Sequence, residues 1–155
     1  MLLPLDSEDT ESLEQPLPDE SARAYVERVT LAKSRVAFER WQKRDLIWAP
    51  ILCADTTVSL PNHPSGEILG KSTDAHDAAR ILRMLSGKTH EVITGVAVTS
   101  TPEKAPLFLM QISEVRFATL SDEQIQVYID SGEPFGKAGA YGIQGRASPA
   151  NSREL

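Results

Sequence analysis

Leu46-Ile47-Trp48-Ala49-Pro50-Ile51-Leu52-Cys53-Ala54-Asp55-Thr56-Thr57-Val58-Ser59-Leu60 is an apolar run with one carboxylate inside it. Its density of apolar and β-branched residues reads as a strand pair or as one long bent strand. A carboxylate in such a run is costly unless it meets a metal, a hydrogen-bond donor or a cation. The alternative is that Asp55 caps a turn or the following strand. Both readings stand at this point.

Working outward, Pro61, Pro64 and Gly66 mark a hairpin-type turn, after which Ile68-Leu69-Gly70-Lys71 returns. Upstream, Val26, Val29, Lys33 and Val36 recur at helical steps between Ser21 and Arg44, free of Gly and Pro. Asp74 is an N-cap for a second helix, with Ala78, Ile81, Leu82 and Leu85 as its buried stripe and Gly87 as its stop. Val92 to Val98 and Leu107 to Phe117 are the clearest strands, joined by a loop at 101–106. Ser121-Asp122-Glu123-Gln124 is a capping box that opens a third helix, with Ile125, Tyr128 and Ile129 inward. The order predicts an α/β domain with a mixed, largely antiparallel central sheet rather than a doubly wound one. Residues 1–20 hold seven acids and three prolines without a lysine or arginine, and read as a loosely ordered lead-in.

The segment Gly132-Glu133-Pro134-Phe135-Gly136-Lys137-Ala138-Gly139-Ala140-Tyr141-Gly142-Ile143-Gln144-Gly145 holds five glycines and a proline in fourteen residues, so it is neither regular helix nor strand. Glycines let backbone amides approach a ligand, and Lys137 and Gln144 add a cation and a side-chain amide, as a nucleotide site needs. A hairpin with a structural lysine fits equally well. Lys71 also follows a glycine in a loop. Gly87-Lys88-Thr89 resembles the end of a phosphate-binding loop, but the first glycine of that motif would fall at Leu82. It also leaves a helix for a strand, the reverse of what that loop requires. His90-Glu91 lacks a second histidine at zinc spacing, and Cys53 reads as a core thiol.

The 155 residues bound the chain to one domain. A net charge of −6 excludes a nonspecific nucleic-acid binder. No apolar run approaches the roughly 20 residues that cross a bilayer. A single cysteine suits a reducing compartment, with cytoplasm as the default.

Taken together, six blocks resemble the Maf proteins, nucleoside triphosphate pyrophosphatases of the inosine-triphosphatase-like fold. They are Glu14-Gln15-Pro16-Leu17-Pro18-Asp19-Glu20, Tyr25-Val26-x-Arg28 running to Lys33, Ala54-Asp55-Thr56-Thr57-Val58, Ile68-Leu69-Gly70-Lys71, Leu85 to Val92, and Gly132 to Gly145. The resemblance implies cleavage of a nucleoside triphosphate between its α and β phosphates, releasing the monophosphate and pyrophosphate. It implies Mg²⁺ or Mn²⁺ as cofactor, with Asp55 as proton acceptor or metal-side carboxylate and Glu14 as a further carboxylate at the metal. Lys33, Lys71 and Lys137 become phosphate contacts. Thr56 and Gln144 become the base readers, because an amide matches the alternating edge of uracil or thymine. The Lys137 to Gly145 block is similar to the branch acting on dTTP and UTP, a house-cleaning activity on the nucleotide pool. Homodimers are common in the family.

The resemblance covers residues 13–145, and we expect residues 1–145 to form one domain ahead of a polar non-family tail at 146–155. The family's opening strand, its Ser-x-Ser-Pro-Arg-Arg loop with the following helix, and its last two apolar segments have no counterpart here. A chain truncated at both ends is therefore expected, with turnover weakened or lost. The alternative function is a catalytically impaired nucleotide-binding or septum-formation-related regulatory protein.

Overall fold

The computed structural model describes residues 12–44, 46–61 and 68–145. The expected tail at 146–155 and, in the expected turn, Pro64 and Gly66 lie outside these residues. Three helices and four strands follow in the order α1 (Ala22–Lys43), β1 (Ile51–Ser59), β2 (Ile68–Leu69), α2 (Ala75–Leu85), β3 (Thr89–Thr99), β4 (Leu107–Arg116) and α3 (Asp122–Asp130). The strands form one antiparallel sheet in the order β2-β1-β3-β4, with Val58 opposite Leu69 and Ser59 opposite Ile68. This is the expected α/β class. No helix among the described residues is long and apolar enough to cross a membrane.

The chain clusters into two compact units, Met1–Thr56 with Ile93–Ile112, and Thr57–Val92 with Ser113–Leu155. In the first, α1 starts where the Ser21 side chain accepts from the Ala24 amide. Its inward face buries Tyr25, Val26, Val29, Thr30, Ser34 and Ala37, and Ile93 and Ala97 of β3 are buried in the same unit. Gly95 permits this packing. A Cβ there would lie 2.7 Å from both Val26 Cγ1 and Thr30 Oγ1 and 3.0 Å from Phe108 Cε2.

The apolar run from Leu46 is not all strand. Residues 46–50 carry no regular structure and β1 begins at Ile51. Their hydrophobicity goes into side-chain packing instead. Trp48 meets Trp41 edge-on at 4.7 Å and Phe38 at 6.1 Å, and its indole donates to the Ser100 carbonyl.

The second unit has its own core of Val58, Leu60, Leu69, Ile81, Leu82, Leu85, Ile125, Tyr128, Ile129 and Tyr141. Asp74 caps α2 by accepting from the Asp77 amide, and Gly87 follows at φ +68°. The capping box of α3 is complete. Ser121 accepts from the Gln124 amide, and the Gln124 side chain accepts from the Ser121 amide. The glycine-dense segment forms turns, bridged once to the strand side by an antiparallel pair between Lys71 and Ala138.

Candidate active site

Three of the residues singled out by sequence converge in the first unit. Lys33 leaves the inward side of α1 and its ammonium donates to Glu14 Oε1 and to Asp55 Oδ1, each at 2.6 Å. The three side chains are between 12% and 21% exposed, so the pairs are shielded without being sealed from water. Burial alone would lower the Lys33 pKa. The hydrogen bonds and charges of Asp55 and Glu14 outweigh it and hold the ammonium above its ordinary range.

Asp55 is therefore not a turn cap. It sits within β1, five residues into the strand, and its cost in an apolar run is met by a cation. Glu14 and Glu20 are also not part of a slack tail, contrary to the lead-in expected from composition. Tyr25 donates its hydroxyl to the Glu14 carbonyl at 2.8 Å, and Arg28 forms a salt bridge with Glu20 at 2.6 Å. Tyr25 is buried, and that burial, reinforced by the negative charges of Asp55 and Glu14, pushes its phenol up to about 12.

The arrangement puts two carboxylates on one ammonium. Hard oxygen donors of this kind suit Mg²⁺ or Mn²⁺, which keep bound waters and are commonly held by one or two carboxylates together with substrate phosphates. No group of three or more His, Cys, Asp or Glu side chains able to hold a metal occurs among the described residues.

The remaining candidates lie elsewhere. Thr56 follows Asp55 on β1 and its hydroxyl shares a hydrogen bond with that of Thr94 at 2.9 Å. In the second unit, Lys71 pairs with Ala138, the residue after Lys137. The Gly139 amide donates to the Leu69 and Gly70 carbonyls at 3.0 Å, so these two loops are joined by backbone. The Lys137 ammonium donates to the Glu133 carbonyl at 2.5 Å. Gln144 is exposed in the turn at 143–145. His90 is fully buried against Phe117 and Tyr141, with Nε2 2.8 Å from the Tyr141 hydroxyl, so it belongs to the core.

Sequence reasoning did not assign a role to Arg28 or Tyr25. The available signal was spacing. Tyr25, Val29 and Lys33 fall four residues apart and share one helical stripe, so Tyr25 and Lys33 reach the same side of α1.

The family is shown by comparison with known proteins. The family model described as Maf-like protein matches residues 3–151. A protein of Albidiferax ferrireducens named dTTP/UTP pyrophosphatase is 50% identical over 148 residues, which is 96% of this chain and 71% of the relative. One of Ralstonia nicotianae with the same name is 51% identical, covering 96% of this chain and 69% of the relative. A third, from Cupriavidus pinatubonensis, is 49% identical over 96% of this chain and 71% of its own length, again named dTTP/UTP pyrophosphatase. With a family model spanning nearly all of its length and relatives at half identity, this chain belongs to the Maf-like protein family.

Proposed function

We propose that this protein is a nucleoside triphosphate pyrophosphatase acting on dTTP and UTP, releasing the monophosphate and pyrophosphate. The observation that carries the reading is the Lys33 ammonium held between Glu14 and Asp55 at 2.6 Å. Relatives at about half identity bear that activity in their names, which supports the same reading.

In this scheme Asp55 accepts the proton of the water that attacks the α phosphorus. Lys33 holds that carboxylate by hydrogen bond and supplies positive charge where phosphate oxygens arrive. Glu14 and Asp55 would together hold a divalent cation, which when bound neutralises the triphosphate. Half-burial of the acids raises the strength of each charge interaction over its value in water. Lys71, Lys137, Thr56 and Gln144 are carried as substrate contacts on the resemblance of their motifs. The cytoplasmic setting and the homodimer belong to the same proposal.

The test is pyrophosphate release with Mg²⁺ against dTTP, UTP, dCTP, GTP and methyl-GTP, with Asp55→Asn alongside. Selective turnover of dTTP and UTP that disappears in the variant is expected. Equal turnover in Asp55→Asn would overturn the assignment.

A further inference from the structure

Arg28 reaches from α1 back to the segment that carries Glu14. Its Nη1 donates to the Leu13 carbonyl and its Nη2 to the Gln15 carbonyl, both at 3.0 Å. Its Nε and Nη2 also take the two oxygens of Glu20 at 2.6 and 2.8 Å. The carbonyl between those of Leu13 and Gln15 is that of Glu14, and it accepts from Tyr25. The guanidinium in turn lies over the Tyr25 ring, 5.5 Å from its centroid. Three successive backbone carbonyls, 13 to 15, are thus held by two side chains of one helix.

Loop carbonyls ordinarily bond to water or to nearby amides, and leave the segment free to shift. Here the hold is specific to arginine. Only a planar guanidinium offers donors in enough directions to bond two carbonyls and fork a carboxylate at once, whereas lysine presents a single point charge. Glu20 also accepts from the Leu17 amide at 3.0 Å, which closes the clamp on its other side. What the clamp fixes is the direction of the Glu14 carboxylate, which would otherwise be carried on a solvated turn.

We propose that Arg28, with Tyr25 beside it, is a positioning residue that seats Glu14 on the Lys33–Asp55 pair. It acts through Glu14 and does not touch the substrate. The inference rests on the proposed role of Glu14 and Asp55 at the triphosphate and its cation.

The experiment compares the full chain with Arg28→Lys, Arg28→Gln, Glu14→Gln and the Arg28→Gln/Glu14→Gln double variant. Three readouts are taken: Mn²⁺ affinity by electron paramagnetic resonance, amide hydrogen exchange across residues 13–20, and kcat and KM for dTTP with Mg²⁺. Both Arg28 variants should speed exchange in that segment and weaken Mn²⁺ binding and kcat by about 10- to 100-fold, the usual effect of losing a partner that orients a ligand. Arg28→Gln should add nothing once Glu14 is already Gln. If an Arg28 variant does not fold, Tyr25→Phe removes one of the three carbonyl bonds and should move every readout the same way by less. Arg28→Lys with parental exchange, affinity and kcat overturns the positioning role, as do losses that multiply in the double variant. Loss of Mn²⁺ binding in Glu14→Gln and Asp55→Asn but not in the Arg28 variants would sink this inference alone. A parent chain with neither Mn²⁺ binding nor turnover would sink the proposed function with it.

Discussion

The Lys33 ammonium and the Asp55 carboxylate meet at 2.6 Å on side chains that are 12% and 14% exposed. A helix and a strand are joined there by charge, through residues 22 apart in sequence. Glu14 takes a second hydrogen of the same ammonium, so one cation answers two anions.

Lys33→Met should therefore do more than delete a contact. It removes the ammonium that Glu14 and Asp55 share, and removing one partner of a shielded pair costs more than the pair contributes. We expect a loss of about 3 kcal/mol at pH 7, the low end for such a deletion. The deficit should narrow in acid, where a protonated carboxylate no longer needs the cation. Urea denaturation at pH 7 and near pH 4 measures both. A variant as stable as the parent at pH 7 would mean that the ion pair contributes nothing to folding.

Alkaline behaviour follows from the same neighbourhood. Burial, and after it the charges of Asp55 and Glu14, raises Tyr25 to about 12, and burial followed by Tyr128 raises Tyr141 to about 12. Burial raises Tyr128 too, so all three tyrosines of the chain are shifted upward. A folded pKa above the unfolded value stabilises below the unfolded one and fades as pH climbs through the folded one. Stability should accordingly fall between pH 10 and about 12, with Lys33 acting in the same direction above 10.5. Titration of the ultraviolet tyrosinate band, followed with circular dichroism, should show phenolate only as structure is lost. A phenol ionising near pH 10 in folded protein contradicts this.

Local signals were the legible part of the fold. The Ser121–Gln124 box and the Asp74 cap depend on residues three apart, and both form as their spacing requires. The stripe Ala78, Ile81, Leu82, Leu85 is buried throughout because helical period alone decides it. Asp55 was legible as an anomaly, since a carboxylate in an apolar run needs a partner. Which partner was not legible. The Glu14–Lys33 contact joins residues 19 apart, and the composition of the acidic lead-in pointed toward solvent. Composition does not express that Arg28 would bond two carbonyls there. The start of β1 was misjudged for a similar reason. Apolar residues at 46–50 serve aromatic packing around Trp48, with Ile47 left 95% exposed.

At acid pH the second unit should respond through His90. Burial lowers its pKa to about 4, and its Nε2 bonds to the Tyr141 hydroxyl while Nδ1 has no partner. The unfolded chain takes up this proton near 6.5, the folded chain only near 4, so the contribution is complete above 6.5 and is lost as pH falls toward 4. A depression of that size corresponds to about 3 kcal/mol. His90→Gln should flatten the stability profile between pH 6.5 and 4, measured by urea unfolding at several pH values. An unchanged slope would place the acid sensitivity elsewhere.

Gly95→Ala tests how tightly α1 seats on β3. The new methyl would stand 2.7 Å from Val26 Cγ1 and Thr30 Oγ1, contacts too short to persist, and Phe108 closes the third side at 3.0 Å. Either the helix moves outward or the strand bends, and such overpacking costs about 1–3 kcal/mol. The displacement reaches function because Lys33 lies one turn beyond Thr30 on the same helix, and its bonds to Glu14 and Asp55 have little slack at 2.6 Å. Gly70→Ala is the control, since an added Cβ there meets nothing within 4 Å. Chemical denaturation should rank Gly95→Ala well below both parent and control, and Lys33→Met should lose less in its background than alone, the pair being already displaced. Equal stability of the two alanine variants would show that the helix can yield at no cost. Lys33 would then owe its position to its ion pairs rather than to the packing beneath it.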